Sequence, residues 1–414
     1  MYIIRISLLN IFILLFCVKT YSQDCTLASY LERGVSGSPV LKDLSNQILS
    51  NQYDSLIARA TFLPQVNFNA SMMYAPTING WGYSDVLTNG QSLMGTINVN
   101  QQLFNKKTRE ANYEKFGLES GNLVNNRKIS LSELKKAITA QYLAAFAALE
   151  ERRFQQEVSA AMENEAKVVK AWAEKGIYRQ TDYLSLQVEI LSLERNIRDL
   201  DLRYRKELWI LYLICGIGDT NTCDLKLPAI KDTLAKTAEN TLFFRQFLFD
   251  SLLIKNEKLL IDRRYKPAVS WFADGGLVNN EPKYLYQNFG ISGGLSMTLP
   301  VFDGNQRKIN YDKIRMREET RKNYQENFRF RYQSQLRQLK AELEQTRMLM
   351  KENEKHILLV QELIDADKVM LNNGSLAITD YILALKNLVE TKHAGLLYQI
   401  RIQYIFNEFN FWNQ

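Results

Sequence analysis

Strict alternation of apolar and polar residues predicts four β-strands. In the first, the apolar residues from Val66 to Tyr74 alternate with Asn67, Asn69 and Ser71. Successive side chains of a strand point to opposite faces, so each segment has one apolar and one polar face. The predicted strands cover residues 65–76, 92–104, 268–278 and 289–302.

The length and polarity of these strands suit an outer membrane. Each has about ten residues or more, and the polar face carries mainly small neutral side chains. A half-exposed sheet in a soluble protein has the same period and stays open as an alternative. Aromatic residues near the loops 77–90 and 279–287 fit a membrane interface. They are Tyr74, Trp81, Tyr83, Tyr284 and Tyr286.

Four strands are too few for a membrane barrel. Single-chain barrels have at least eight strands, and an open edge in lipid leaves backbone groups unpaired. Either these strands do not cross a membrane, or several chains share one barrel.

The rest of the chain has helical spacing. Residues 105–171 and 304–371 contain no Pro, and about 67 helical residues extend roughly 100 Å. A helix of that length needs partner helices. After Gly176, apolar residues recur at alternating threes and fours up to Leu211, which is coiled-coil spacing. Leu41–Phe62 is predicted to stack end to end with this returning helix.

The chain repeats itself once. Thr181-Asp182-Tyr183 recurs as Thr379-Asp380-Tyr381, and Gly176 recurs as Gly374, both 198 residues later. We expect a first repeat at 23–220, with a hairpin of long helices at 105–215. A connector at 221–235 and a second repeat at 236–414 follow, the latter with a hairpin at 303–413.

The N-terminal residues resemble a secretory signal peptide. Arg5 precedes an apolar stretch, Ile6–Val18, and small or polar residues follow it. We expect residues 1–22 to be removed by cleavage after Ser22 and the remaining chain to leave the cytoplasm.

Three cysteines remain after that cleavage, enough for one disulfide and one thiol. Cys215 and Cys223 flank a short Gly-containing turn and are the candidate pair, the third being Cys25. Sequence spacing alone does not decide the pairing.

Composition argues against catalysis, metal binding and nucleic-acid binding. The formal charge is +7, but 52 basic and 45 acidic residues are interleaved without a basic block. The chain has two His residues, His356 and His393, both predicted to be solvated on polar helical surface. Gly290–Gly294 matches G-x-S-x-G but lies inside a strand rather than at an elbow. We expect no enzyme activity, no metal and no cofactor.

Several motifs in order resemble the TolC family of outer-membrane efflux ducts. Phe62-Leu63-Pro64 is similar to the family's strand entry, Leu299–Gly304 to its strand-to-helix transition, and Leu211–Gly216 to the end of its first returning helix. The segments around Asp182 and Asp380 resemble its two hairpin tips. The resemblance runs from about Leu41 to the C-terminus.

The resemblance implies an α+β membrane protein of the bacterial outer membrane. Three chains would form a homotrimer with one 12-stranded β-barrel, continuing into a long periplasmic barrel of coiled-coil hairpins. Residues near 215–235 would form a belt around it. Such a duct is passive, and a periplasmic adaptor and an inner-membrane pump complete an efflux or type I secretion system.

The hairpin tips are the candidate functional site. Asp182 and Asp380 would place six carboxylates at the aperture of a trimer, a ring that favours cations. The alternative is that each Asp caps a helix N-terminus, and the two roles are compatible. Three more residues join them as gate candidates: Arg179, Thr181 and Thr379. The adaptor would contact Gly176, Ile177, Tyr178, Gly374, Ser375, Leu376 and Ala377.

The tips depart from the family pattern in two ways. Ser185 and Leu383 stand where many members have a second acid, and Leu376 stands where some have a gate-locking Arg. Arg179 is predicted to pair instead with Asp182, or with Asp380 of a neighbouring hairpin. Two other functions stay open: a non-conducting structural trimer and a soluble periplasmic coiled-coil adaptor.

Overall fold

The computed structural model describes residues 25–76, 78–82, 91–103, 106–176, 178–218, 221–231, 237–372 and 377–414. The predicted signal peptide and its cleavage site lie outside them. The chain divides into two compact units. We call the one within Met1–Pro39, Ser130–Lys236 and Tyr332–Gln414 the hairpin unit, and the one within Val40–Ile129 and Thr237–Arg331 the sheet unit.

Seven α-helices and four strands follow one another in the described residues. The helices are α1 (Leu27–Gly37), α2 (Pro39–Ala60), α3 (Lys106–Glu174), α4 (Gln180–Cys215), α5 (Leu242–Arg264), α6 (Gln306–Asn372) and α7 (Ile378–Trp412). The strands are β1 (Gln65–Tyr74), β2 (Gln91–Leu103), β3 (Ala268–Asn279) and β4 (Phe289–Thr298). Short 3-10 helices lie at Ala238–Asn240 and Pro282–Gln287.

The four strands form one antiparallel sheet in the order β1-β2-β3-β4. Two strands end before their predicted limits: β1 ends at Tyr74 and β4 at Thr298, against 76 and 302. Pro76 and Pro300 explain both ends, because proline has no N–H to donate to a strand partner.

The register of the sheet puts the apolar positions of all four strands on one face. Val66 pairs with Val99, Phe68 with Ile97, and the same face continues through β3 to β4. In the isolated chain this face is open: Ile291 is 81% exposed and Met72 is 75% exposed. Large apolar side chains exposed together in this way mark a site of interaction with a membrane or with another protein.

The transition from β4 to α6 has a defined geometry. Asp303 accepts hydrogen bonds from the Tyr265 hydroxyl at 2.6 Å and from the Arg307 backbone N–H at 2.8 Å, which satisfies a donor of the first turn of α6. Gly304 and Asn305 have φ of 61° and 67°, a conformation that glycine and asparagine adopt most readily. These contacts explain why Asp303, Gly304 and Asn305 suit the start of α6.

Buried amide side chains join the helices of the sheet unit. Asn51 of α2 donates to the carbonyl of Phe116 at 2.9 Å, and Asn256 of α5 donates to the carbonyl of Ala111 at 2.9 Å. Both accepting carbonyls belong to α3, so α2 and α5 both contact that helix.

The hairpin unit has its largest core where α1, α3, α4 and the segment 221–231 meet. The hydroxyl of Tyr142 donates to the carbonyl of Lys226 at 2.8 Å, and that of Tyr212 donates to Asn221 at 2.8 Å. Fully buried aliphatic side chains fill the space between these tyrosines: Ile138, Leu143, Leu208 and Leu211.

The disulfide predicted between Cys215 and Cys223 is wrong. Cys223 is bonded to Cys25, 198 residues away in the sequence. Cys215 is the buried free thiol among the described cysteines, and its Sγ donates to the carbonyl of Tyr30 at 3.4 Å. The physical reason is the turn at Gly216 (φ 67°), which ends α4 with the thiol of Cys215 facing α1. The chain after this turn then places Cys223 beside Cys25.

No helix in the described part of the chain combines the length and apolar character needed to span a membrane.

Candidate functional site

The first hairpin turn is closed by two stacked aromatic rings. The rings of Trp172 and Tyr178 lie 5.5 Å apart between centroids and 9° from parallel. Between them Gly176 adopts φ 77°, and its N–H donates to the carbonyl of Ala173 at 3.0 Å. A left-handed residue after a helix end is where glycine costs least, so this residue type fits the turn. Ile177 lies outside the described residues.

Asp182 does not cap α4. The N-cap is Arg179, with extended backbone and no side-chain capping bond, and Asp182 is the third residue of the helix. The alternative that this Asp is the N-cap is therefore wrong, because Arg179, three residues earlier, occupies that position. Its carboxylate still lies in the first turn, where the helix dipole favours negative charge. Burial and the nearby Asp182 raise the pKa of Tyr178.

The helix that follows the second turn begins in the same way as α4. Ala377 is the N-cap of α7, again without a side-chain capping bond, and Asp380 is the third helical residue. Thr379 and Asp380 are exposed, as are Arg179 and Thr181 of the first turn, while Asp182 is half-buried. Three of the residues predicted for the second tip lie outside the described residues: Gly374, Ser375 and Leu376.

An apolar cluster holds the two hairpins together behind the turns. Tyr381 of α7 is 5% exposed and packs with residues of α3, α4 and α6. Lys386 of α7 also lies 3.9 Å from Glu189 of α4. The buried members are Val158, Met162, Ala166, Val169, Leu186, Ile190, Leu193, Val360, Ile364, Tyr381, Ala384 and Leu388. The spatial relation of the two turns thus depends on side-chain packing along four helices.

The predicted ion pair of Arg179 is absent within the chain. Among the described residues, no ion pair joins Arg179 to Asp182 or to Asp380. The remaining form of the prediction is a pair between neighbouring copies, which the monomer does not test.

A half-buried carboxylate lies close to the apolar cluster behind the turns. Near Tyr381, burial raises the pKa of Glu165, an effect that the positive charge of Lys368 partly opposes.

The prediction of a solvated His393 is wrong. Its ring stacks on Phe154 of α3 with centroids 4.5 Å apart. The Nε2 atom is buried and has no hydrogen-bond partner in the described part of the chain. Burial lowers the pKa of this imidazole, against the opposing charges of Glu151 and Glu150. His356 is exposed.

Metal ligation within one chain finds no support at the turns. Across the described ranges, no group of three or more His, Cys, Asp or Glu side chains is close enough to hold a metal ion. The Ser292 hydroxyl of the G-x-S-x-G match donates to Asp274 within the sheet, and the residue lies inside β4.

Comparison with solved structures identifies the fold. The outer membrane protein VceC from Vibrio cholerae aligns with a TM-score of 0.77 and 11% identity over 94% of this chain and 96% of that one. The Neisseria gonorrhoeae MtrE outer membrane channel aligns with a TM-score of 0.76 and 15% identity, over 94% and 88%. The chain has the TolC fold. A membrane protein from Pseudomonas aeruginosa aligns equally well, with a TM-score of 0.77, 14% identity and coverage of 93% and 90%.

Relatives of this chain are found by comparing structures and not by comparing sequences. No protein-family model matches it, and no curated protein matches it by sequence. The TolC fold is shared at 11 to 15% identity with the channels named above.

Two features of the site could have been found in the sequence. Trp172 and Tyr178 stand on either side of Gly176, and aromatic residues flanking a turn glycine are a signal for stacking across it. The second feature lies in the sheet rather than at the turns. Asp274 is the single charged residue in the alternating segments, and a lone charge in a strand is a signal for a functional position. The packing of Tyr381 against three other helices has no local signal, because it depends on tertiary contacts.

Proposed function

We propose that this protein is the outer-membrane duct of a tripartite efflux or type I secretion system. The observation that carries the proposal is the TolC fold over 92 to 94% of the chain, together with a sheet whose apolar face is open. In this function the protein conducts solutes passively and catalyses no reaction. An inner-membrane pump would supply the energy, and no cofactor is required.

The sheet has the topology needed to continue between copies. Its outer strands are β1 and β4, and three successive antiparallel pairings make them run in opposite directions. The β4 strand of one copy can therefore pair antiparallel with β1 of the next. Three copies close a 12-stranded barrel, as the resemblance implies, and closure removes every open edge from the lipid.

The two faces of the sheet support a barrel with its apolar face toward lipid and its polar face toward the lumen. Phe68, Met72, Ile291, Leu295 and Met297 all lie on one face and are 68 to 81% exposed. On a lipid-facing surface they would be buried, each contributing about 1.5–3 kcal/mol. The opposite face, with Asn67, Asn98 and Ser292, would line a wet lumen.

The hairpin turns are the proposed aperture and adaptor-binding site. In a homotrimer the Asp182 and Asp380 side chains would number six, and a ring of carboxylates at a constriction favours cations. Arg179, exposed at the start of α4, would pair with Asp380 of a neighbouring copy and hold the aperture closed. The periplasmic adaptor would contact the residues from Gly176 to Arg179 and from Gly374 to Ala377, of which the structure describes Gly176, Tyr178, Arg179 and Ala377.

Planar-bilayer conductance tests the proposal. The purified protein should form small cation-selective channels, and Asp182→Ala/Asp380→Ala should enlarge them or reduce their selectivity. The matched control, Asp199→Ala/Glu354→Ala, removes two exposed acids of α4 and α6 away from the turns and should leave both properties unchanged. Arg179→Ala should raise the conductance of the closed state.

Two outcomes would favour the other functions. Membrane trimers that form no channels would support a structural trimer. Recovery of the protein in the soluble periplasmic fraction would support a coiled-coil adaptor, although the open apolar face of the sheet argues against that location.

A further inference from the structure

Asp274 is the only charged residue in the four strands, all of which the structure describes. The sequences are QVNFNASMMY for β1, QSLMGTINVNQQL for β2, AVSWFADGGLVN for β3 and FGISGGLSMT for β4. A carboxylate in the middle of a predicted barrel strand is costly on a lipid face. Its position therefore has to be explained.

The register places Asp274 on the polar face. Asn98 of β2 lies directly opposite on one side and Ser292 of β4 on the other, and Asn67 of β1 completes a row across the sheet. The Asn98 amide donates a hydrogen bond to Asp274, and the Ser292 hydroxyl donates another at 3.3 Å. Both neighbours are neutral, so within the sheet no cation compensates the carboxylate.

Two glycines leave one side of the carboxylate uncovered. Gly276 and Gly290 pair with each other in the next row of the same face, where neither has a side chain. Together with Asp274, Ser292 and Thr96 they line an open hollow of about 430 Å³. On the other side, the ring of Phe272 lies over Gly294. Asp274 is therefore partly exposed to solvent on the polar face of the sheet.

We propose that Asp274 is a specificity-determining residue that makes the barrel part of the duct favour cations over anions. This inference rests on the proposed function, because the polar face lines a lumen only when copies close a barrel. In a trimer, three symmetry-related carboxylates lie at one height, midway along the strands. They form a second charged belt, separate from the one proposed at the hairpin turns.

The reach of this belt depends on salt. Twelve strands spaced about 4.8 Å apart and tilted about 40° give a barrel radius of roughly 12 Å. The Debye length is about 30 Å at 0.01 M salt and about 3 Å at 1 M. The three charges therefore act across the whole lumen at low salt and only near the wall at high salt.

The test is the reversal potential of single channels in KCl gradients, for wild type and Asp274→Asn. Asn keeps the size of the side chain and can still hydrogen-bond to Asn98. At low salt the permeability ratio of K⁺ to Cl⁻ should fall by roughly threefold or more. In 1 M KCl the two proteins should differ little.

A charge-exchange variant separates charge from structure. Asn98→Asp/Asp274→Asn moves the carboxylate one strand away in the same row and keeps an Asn–Asp pair. It should restore the wild-type permeability ratio, and Asp274→Glu should preserve it. If the exchange variant is as unselective as Asp274→Asn, the proposal is wrong.

The remaining outcomes are also decisive. One outcome would overturn this inference and keep the proposed function. In it, the wild-type channels are selective, Asp274→Asn leaves their selectivity unchanged, and Asp182→Asn/Asp380→Asn abolishes it. Absence of channels in wild type would remove the proposed function and this inference with it. Failure of all three Asp274 variants to form channels would show a structural role and overturn the inference.

Discussion

Cys25 and Cys223 form a disulfide that joins the start of α1 to the segment that follows α4. On either side of it, the Tyr142 hydroxyl lies 3.1 Å from the carbonyl oxygen of Cys25, and Tyr204 donates a hydrogen bond to the carbonyl of Cys223. The bond thus belongs to the main core of the hairpin unit. Disulfides form and persist in oxidising compartments, so this bond agrees with the predicted export of the chain from the cytoplasm.

Removing the disulfide should destabilise the hairpin unit. A native disulfide typically contributes about 2–4 kcal/mol, and bonds that close long loops contribute most in the chain-entropy model. Cys25→Ser/Cys223→Ser should therefore lower the denaturation midpoint measured by circular dichroism, as should reduction of the wild type. Cys215→Ser is the control and should retain the response to reductant. Peptide mapping that links Cys215 to Cys223 would contradict the structure.

The Trp172–Tyr178 stack should protect the first hairpin turn. Stacked aromatic pairs contribute about 0.5–1.5 kcal/mol beyond the area they bury. Trp172→Ala should therefore increase hydrogen exchange of the turn amides between residues 174 and 182 by roughly two- to tenfold. Trp209→Ala, which removes a half-exposed indole of α4, should leave the turn unchanged. Equal exchange in wild type and Trp172→Ala would exclude a stabilising role for the stack.

The strands were predictable because the period of a strand is a local property. Alternation from Val66 to Tyr74 located β1, and the proline at 300 set the end of β4 where alternation alone did not. The repeat at 198 residues located the two turns, but not the first residue of each helix. That residue depends on the backbone of Arg179 and Ala377, so the alternative with Asp182 and Asp380 as caps put each N-cap three residues too late.

Contacts between distant residues were not predictable in the same way. Cys223 has a cysteine eight residues earlier, but its partner is 198 residues away because α1 packs beside α4. His393 has polar neighbours in its own helix, and its burial comes from Phe154 of α3. In both cases the deciding contact belongs to another element, which local pattern does not reveal.

The half-buried His393 should make stability depend on pH. Its pKa is lowered in the folded state, so the unfolded chain binds more protons as the pH falls below about 6.5. The contribution of the neutral imidazole is present above that pH and is lost as the pH falls through the lowered pKa. Wild type should therefore lose more thermal stability between about pH 7.5 and 5.5 than His393→Phe, in which a ring still contacts Phe154.

The control for this effect is His356→Phe, a change of the exposed histidine of α6. Its stability should fall with acidification as much as that of wild type. Equal losses in wild type and His393→Phe would show that the imidazole at 393 is not the group responsible.

Closure of the sheet between copies is the central claim, and cysteine cross-linking tests it most directly. Asn69→Cys in β1 should be combined in turn with Ser292→Cys and Ser296→Cys in β4, all on the polar face, in membranes treated with a mild oxidant. The account predicts covalent dimers and trimers and nothing larger. Thr96→Cys in β2, which is paired on both sides, should give none with the same partners. No cross-links in any β1–β4 pair, or a ladder that continues beyond three copies, would contradict the account.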